Sequence, residues 1–114
     1  MNNIILDCSV QKDVKLFEEI ANFNVSAITG QYTCLDNTVK NRFTYIRVIY
    51  PNKIDAHMEE IIQSGAMIRI YGKLDSEQYV TSSNKVVYNK VIRAEKIVRI
   101  KFNPELQDYV EVLE

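Results

Sequence analysis

Residues 42–72 read RFTYIRVIYPNKIDAHMEEIIQSGAMIRIYG, and the spacing of their apolar side chains changes twice. From Arg42 to Tyr50 the period is two: Phe43, Tyr45, Arg47 and Ile49 fall on one face, Thr44, Ile46, Val48 and Tyr50 on the other. Apolar residues on both faces predict a central strand with one face in a core and the other presented for contact. Pro51 has no N–H to continue a ladder and stops it. Ile54, Met58, Ile61 and Ile62 then follow the i, i+4, i+7, i+8 pattern of an apolar helical stripe, with Asp55, Glu59 and Glu60 to solvent. That pattern predicts a helix of about three turns, capped by Asn52 and ended by Gly65 in a left-handed conformation. Alternation returns at Ala66–Tyr71, with Ile68 and Ile70 as the expected core pair and Gly72 permitting a bulge.

Working outward, Asn3–Val10 and Asn24–Tyr32 read as strands, and Tyr32–Asn41 as a mobile loop. Asp13–Ala21 fits a short helix or an irregular connection. Asp75–Asn84 is polar, with Thr81-Ser82-Ser83-Asn84 typical of a hairpin tip, and Val86–Ile100 is long enough for a bent strand shared by two sheets. The expected order is β-β-β-α-β-β, an all-β chain with one helix between strands 3 and 4. A five-stranded barrel with its helix there is the oligonucleotide/oligosaccharide-binding (OB) fold. Residues 1–101 would form this domain, and 102–114 an acidic extension that adds a final strand through Tyr109, Val110, Val112 and Leu113.

Composition narrows the class. With 114 residues, 46% hydrophobic and 25% charged, the chain is sized for one globular domain rather than a disordered or collagen-like polymer. No apolar run approaches the ~20 residues of a membrane helix, and Met1-Asn2-Asn3-Ile4 has neither the basic nor the apolar part of a secretory signal. Cys8 and Cys34 show no metal or disulfide spacing, which points to small hydrophobes in a reducing cytoplasm. His57 has no partner at ligand spacing, and Glu59-Glu60 is a solvated helix face. With no phosphate loop, nucleophile elbow or metal pattern, the chain reads as a non-enzyme without cofactor.

The net charge of −1 is unevenly spread. Residues 85–101 carry six Lys/Arg against Glu95, whereas 102–114 carry only Glu105, Asp108, Glu111 and Glu114. Such a pair of segments fits a polyanion site beside an autoinhibitory or partner-binding end. It equally fits a solvated strand facing a complementary tail.

Several stretches, in order, resemble bacterial-type single-stranded DNA-binding proteins. Asn3-Ile4-Ile5-Leu6-Asp7-Cys8-Ser9-Val10 is similar to the family's first strand, with Cys8 in place of its glycine. Tyr45-Ile46-Arg47-Val48-Ile49 resembles its aromatic-x-Arg-Val-Val strand, Gly72-Lys73-Leu74 its Gly-x-Leu, and Tyr88 through Ala94-Glu95-Lys96-Ile97 its last strand. The likeness spans roughly Asn3 to Ile100 and is strongest over Tyr45–Tyr79. It implies stacking of bases on Tyr32, Tyr45 and Tyr79, phosphate contact at Arg47, and a homodimer or homotetramer. Spacing adds Phe43 on the strand face of Tyr45 and Arg47, Arg69 and Lys73 on or beside the next strand, and Lys40 and Arg42 at the loop base.

The expected function is binding of single-stranded DNA, or RNA, without sequence preference, in replication, recombination or a mobile element. Stacking suits this, because every base has a π face. Alternatives stand beside each residue. Tyr45 and Tyr79 could pack in a core or an oligomer interface, Arg47 could pair with a carboxylate across the sheet, and the Lys85–Lys101 charges could be a protected strand edge. Asp75 and Glu77 stand where the family is rich in Lys/Arg. They favour a second reading, a protein-interaction OB domain like the small primosomal replication proteins, contacting other replication proteins.

Overall fold

The computed structural model describes residues 2–113; Met1 and Glu114, which bounded the N-terminal and acidic-tail readings, lie outside them. The described chain is mostly β with a single short helix: β1 (Ile4–Val10), β2 (Lys15–Leu16), β3 (Ala21–Thr33), β4 (Val39–Tyr50), α1 (Ala56–Ile61), β5 (Met67–Val80), β6 (Val86–Asn103) and β7 (Asp108–Glu111). Seven strands stand where five and one C-terminal addition were expected. The helix lies between β4 and β5, not between the third and fourth strands, because the ambiguous stretch 13–21 contributes the two-residue β2.

Pairing runs β1-β5-β6-β4-β3-β2, and β1 also meets β3, so the ladders form a closed circuit β1-β5-β6-β4-β3-β1. All are antiparallel except β4 with β6, where Arg47, Val48 and Ile49 run parallel to Val91, Ile92 and Arg93. Within the circuit lie Val10, Phe23, Val25, Val48, Ile68, Ile70, Ile92 and Ile97, with Met58, Ile61 and Ile62 of the helix against the same cluster. The apolar stripe read from the sequence thus does face the core, and Ile68 and Ile70 are fully buried.

The helix is six residues long, not three turns, and its cap is Asp55 rather than Asn52. Asp55 Oδ1 accepts the Met58 N–H at 2.9 Å. Residues before it are not free to wind, because the Ile54 N–H donates to the Glu18 carbonyl. Gly65 adopts φ +86°, but it follows the helix by several residues and directs its N–H to the Val10 carbonyl, tying the chain to the end of β1.

Gly72 sits where the β5–β6 register slips, Tyr71 opposing Lys96 and Gly72 opposing Ala94. A Cβ there would lie 2.3 Å from the Arg93 carbonyl oxygen, so the bend requires glycine.

Beyond the core, two hairpins project as arms. Pairing of β3 with β4 continues to Thr33–Val39, so most of the expected mobile loop is ladder and only Cys34–Thr38 turns. Asp36 Oδ1 closes that turn by accepting from the Thr38 N–H and hydroxyl, and Asn37 takes φ +69°. The second arm pairs Asp75–Val80 with Val86–Val91, and its turn is confined to Thr81–Lys85. On the first arm no residue is buried, and on the second only Val91, at its base, is. A third, shorter hairpin brings β7 back along β6, with Phe102 and Tyr109 edge-to-face at 5.5 Å.

Candidate nucleic-acid interface

The period of β4 sets the site. Val48 points into the core, so Arg47, Tyr45 and Phe43 point outward. Register places Asn24, Ser26 and Ile28 of β3 beside them in turn. Tyr45 is 68% exposed, which removes it from the protomer core. It borders an open hollow of about 510 Å³ shared with Gln11, Lys12, Asp13, Asn24 and Arg47. Phe43 and Ile28 line a more apolar hollow of about 360 Å³ together with Met67 and Tyr109.

Arg47 is engaged on two sides. Its Nε donates to Asn22 Oδ1 at 3.2 Å, and its Nη1 lies 3.2 Å from Glu77 Oε1. The carboxylate alternative weighed from the sequence is therefore realised, through a partner on the far side of β6. Such exposed pairs are worth little and exchange readily.

The other candidates divide between the arms and the body. On the first arm Lys40 opposes Tyr32, and the Arg42 guanidinium lies 5.9 Å from the Tyr32 ring centroid. Alternation along β4 puts Lys40 and Arg42 on the opposite face from Phe43, Tyr45 and Arg47. On the second arm Tyr79 opposes Val87 and is half-exposed. Lys73 opposes Arg93 at the base of that arm and lies 3.9 Å from Glu95.

Arg69 stands apart. Its Nε and Nη2 donate to the two oxygens of Asp7 at 2.6 and 2.9 Å, and Nη2 also reaches the Tyr109 carbonyl. The Asp7 hydrogen bonds hold this guanidinium above even its ordinary pKa. It fastens β7 to the outer side of β1 and β5, and the structure does not bring it to Tyr45. Tyr71 joins the same fastening by donating to Glu111 at 2.6 Å, which raises the phenol pKa.

Three residues on these surfaces were not singled out from sequence. Tyr88 opposes Gln78 on the second arm and is 67% exposed; its resemblance to the family's last-strand tyrosine was the available signal. Arg93 opposes Lys73, and its Nε donates to Asp75 Oδ2 at 2.9 Å. Lys12 lines the Tyr45 hollow, and nothing in its local sequence marks it.

Elsewhere little chemistry is on offer. Burial, and then the neighbouring Asp7 charge, push the Cys8 thiol up to about 12, so it stays protonated. His57 is exposed on the helix, and no group of metal-binding side chains occurs among the described residues. Nor is any described helix long and apolar enough to cross a membrane.

No protein-family model and no curated protein matches the sequence. Solved structures do match the fold. The Plasmodium falciparum SSB, in its complex with ssDNA, superposes with a TM-score of 0.67 at 16% identity, over 98% of this chain and 95% of that one. The small single-stranded DNA-binding protein of Streptomyces coelicolor superposes with a TM-score of 0.64 at 14% identity, over 87% of this chain and 95% of that one. The chain shares their fold. That likeness covers nearly the whole of this chain and, at identities this low, speaks for the fold alone.

Proposed function

We propose that the chain binds single-stranded nucleic acid, DNA first, without sequence preference, on an OB-type barrel formed by the closed circuit of strands. The observation that carries this reading is the outward row Phe43-Tyr45-Arg47, apolar and aromatic rings beside a cation, on the face between two arms that expose further tyrosines. Bases stack on Tyr45 and Phe43 and on the arm tyrosines Tyr32, Tyr79 and Tyr88. Phosphates run along Arg47 and Lys73, with Arg93 and Lys12 added, and meet Lys40 and Arg42 where the strand wraps to the other face of the first arm; Arg69 is left to its structural pairing. The shared fold with proteins described as single-stranded DNA-binding supports it.

Residues 1–101 carry the binding surface in this reading, and 102–114 act as an added strand. The protein works in replication or recombination as a binding protein, not an enzyme, in the cytoplasm or on the nucleoid. It assembles as a homodimer or homotetramer, which multiplies weak contacts along one strand. One observation favours a second reading: Asp75 and Glu77 lie on the second arm paired to arginines, as suits an adaptor that contacts replication proteins and holds nucleic acid weakly.

Anisotropy of labelled oligo-dT at low and moderate salt tests the first reading. Binding that falls steeply with salt, and is markedly weaker in Tyr45→Ala and in Arg47→Ala, supports it. No binding at low salt removes it in favour of the adaptor.

A further inference from the structure

Two arginines of the candidate interface are already held by carboxylates of the same chain. Glu77 reaches Arg47, and Asp75 reaches Arg93. Both acids sit on β5 and both arginines on strands that pair with β6 or belong to it. In register, Arg47 opposes Val91, and Val91 opposes Asp75. Val91 is buried although it lies outside the core cluster. Register alone sets acids and arginines at one level on either side of it. The arginines retain about half of their side-chain exposure.

We propose that Glu77 and Asp75 occupy Arg47 and Arg93 as stand-ins for phosphate, and that an incoming single strand displaces them, exchanging carboxylate for phosphate at both guanidiniums. The proposal rests on the single-strand reading above. Exposed carboxylate pairs are weak, and a phosphate offers the guanidinium fork an equally good set of acceptors. The exchange has a thermodynamic signature. Binding a strand normally releases the counterions condensed on its phosphates. Here each freed carboxylate takes up a cation as the phosphate loses one, so affinity is moderated and its salt dependence flattened. The acids thus set how tightly the strand is held and how easily it is surrendered to a partner.

The test is oligo-dT binding across a salt series for the full chain, Glu77→Gln, Asp75→Asn, the double variant, and Glu77→Gln combined with Arg47→Ala, with thermal melts to establish folding. The double variant is expected to bind roughly tenfold tighter at low salt. Its log–log salt slope should steepen by about 1.4, two phosphates at ~0.7 each on a single strand. The gain from Glu77→Gln should vanish when Arg47 is alanine. A gain that persists in the Arg47→Ala background overturns the proposal, since it then reflects bulk charge alone. Unchanged or weaker binding by the double variant, with the unsubstituted chain still binding, overturns it while leaving the single-strand reading intact. If neither the unsubstituted chain nor any variant binds, the single-strand reading itself has failed. Binding seen only in the double variant overturns both, since the acids then exclude the strand rather than yield to it.

Discussion

The first half of β3 and its second half obey different rules. From Ala21 to Ala27 every second side chain is buried, and the strand is held by what it packs against. From Ile28 to Thr33 none is buried, although the ladder to β4 continues unbroken apart from one bulge. β5 makes the same change after Gly72. The packed portion carries the stability of the fold and the projecting portion carries surface for contact. One strand can serve both, because backbone hydrogen bonds extend the ladder without needing a core. Substitutions should therefore sort cleanly, those in the packed body costing stability and those on the contact surfaces costing binding.

The largest effect is expected from Ile70→Ala, which opens a cavity in the centre of the core. It should cost about 4 kcal/mol in urea-induced unfolding and leave little folded protein to assay. Gly72→Ala comes next, at about 3 kcal/mol by the same measurement, because the Arg93 carbonyl must move. Tyr45→Ala, by contrast, should leave the unfolding midpoint nearly unchanged while weakening oligo-dT binding by roughly 2 kcal/mol in an anisotropy titration. A Tyr45→Ala protein that melts early would break the division between body and contact surface. Asp55→Ala removes the helix cap and should cost about 1 kcal/mol of stability without altering binding.

The smallest effect is a pH dependence at the base of the second arm. The Ser76 N–H first, and then Arg93, hold the Asp75 carboxyl below its ordinary pKa. Its depressed value means that the pairing is fully present above the ordinary aspartate range and is lost as pH falls through the lowered value. Carboxyl NMR titration should show Asp75 protonating at lower pH than an unpaired aspartate, and closer to the ordinary value in Arg93→Ala.

The sequence was legible where burial imposed a period. Ile68 with Ile70, the Met58-Ile61-Ile62 stripe and the bend at Gly72 all follow from side chains that must meet a core. The turn of the second arm was legible in Thr81–Asn84, but the first arm was not, because a hairpin exposed on both faces needs no alternation. Tyr32–Asn41 therefore read as a loop. The helix start was misplaced because the bond from Ile54 to Glu18 links segments far apart in sequence. Distance along the chain also hid the charge pairs. Arg69 and Asp7 are separated by 62 residues, and only the β1–β5 register makes them neighbours. The outward face of Tyr45 and Arg47 was readable from β4 alone, whereas the Glu77 partner required β6 to be placed between them.

The circuit of strands is closed by two short seams. One is the parallel contact of Arg47–Ile49 with Val91–Arg93, and the other is Ser9–Val10 against Val25–Ser26. The β3–β4 and β5–β6 hairpins on either side form from neighbouring sequence, so they can assemble early, while the seams wait for distant parts of the chain to meet. Ring closure is accordingly expected to be the slow event of folding, and the seams the places where the folded ring opens first. The Gln11 amide proton, which donates to the Asn24 carbonyl across the second seam, should exchange through such an opening before those of Ile70 and Ile97. A strand laid across β4 and β6 would then act as a clasp, slowing exchange at one seam and leaving the hairpins as they were.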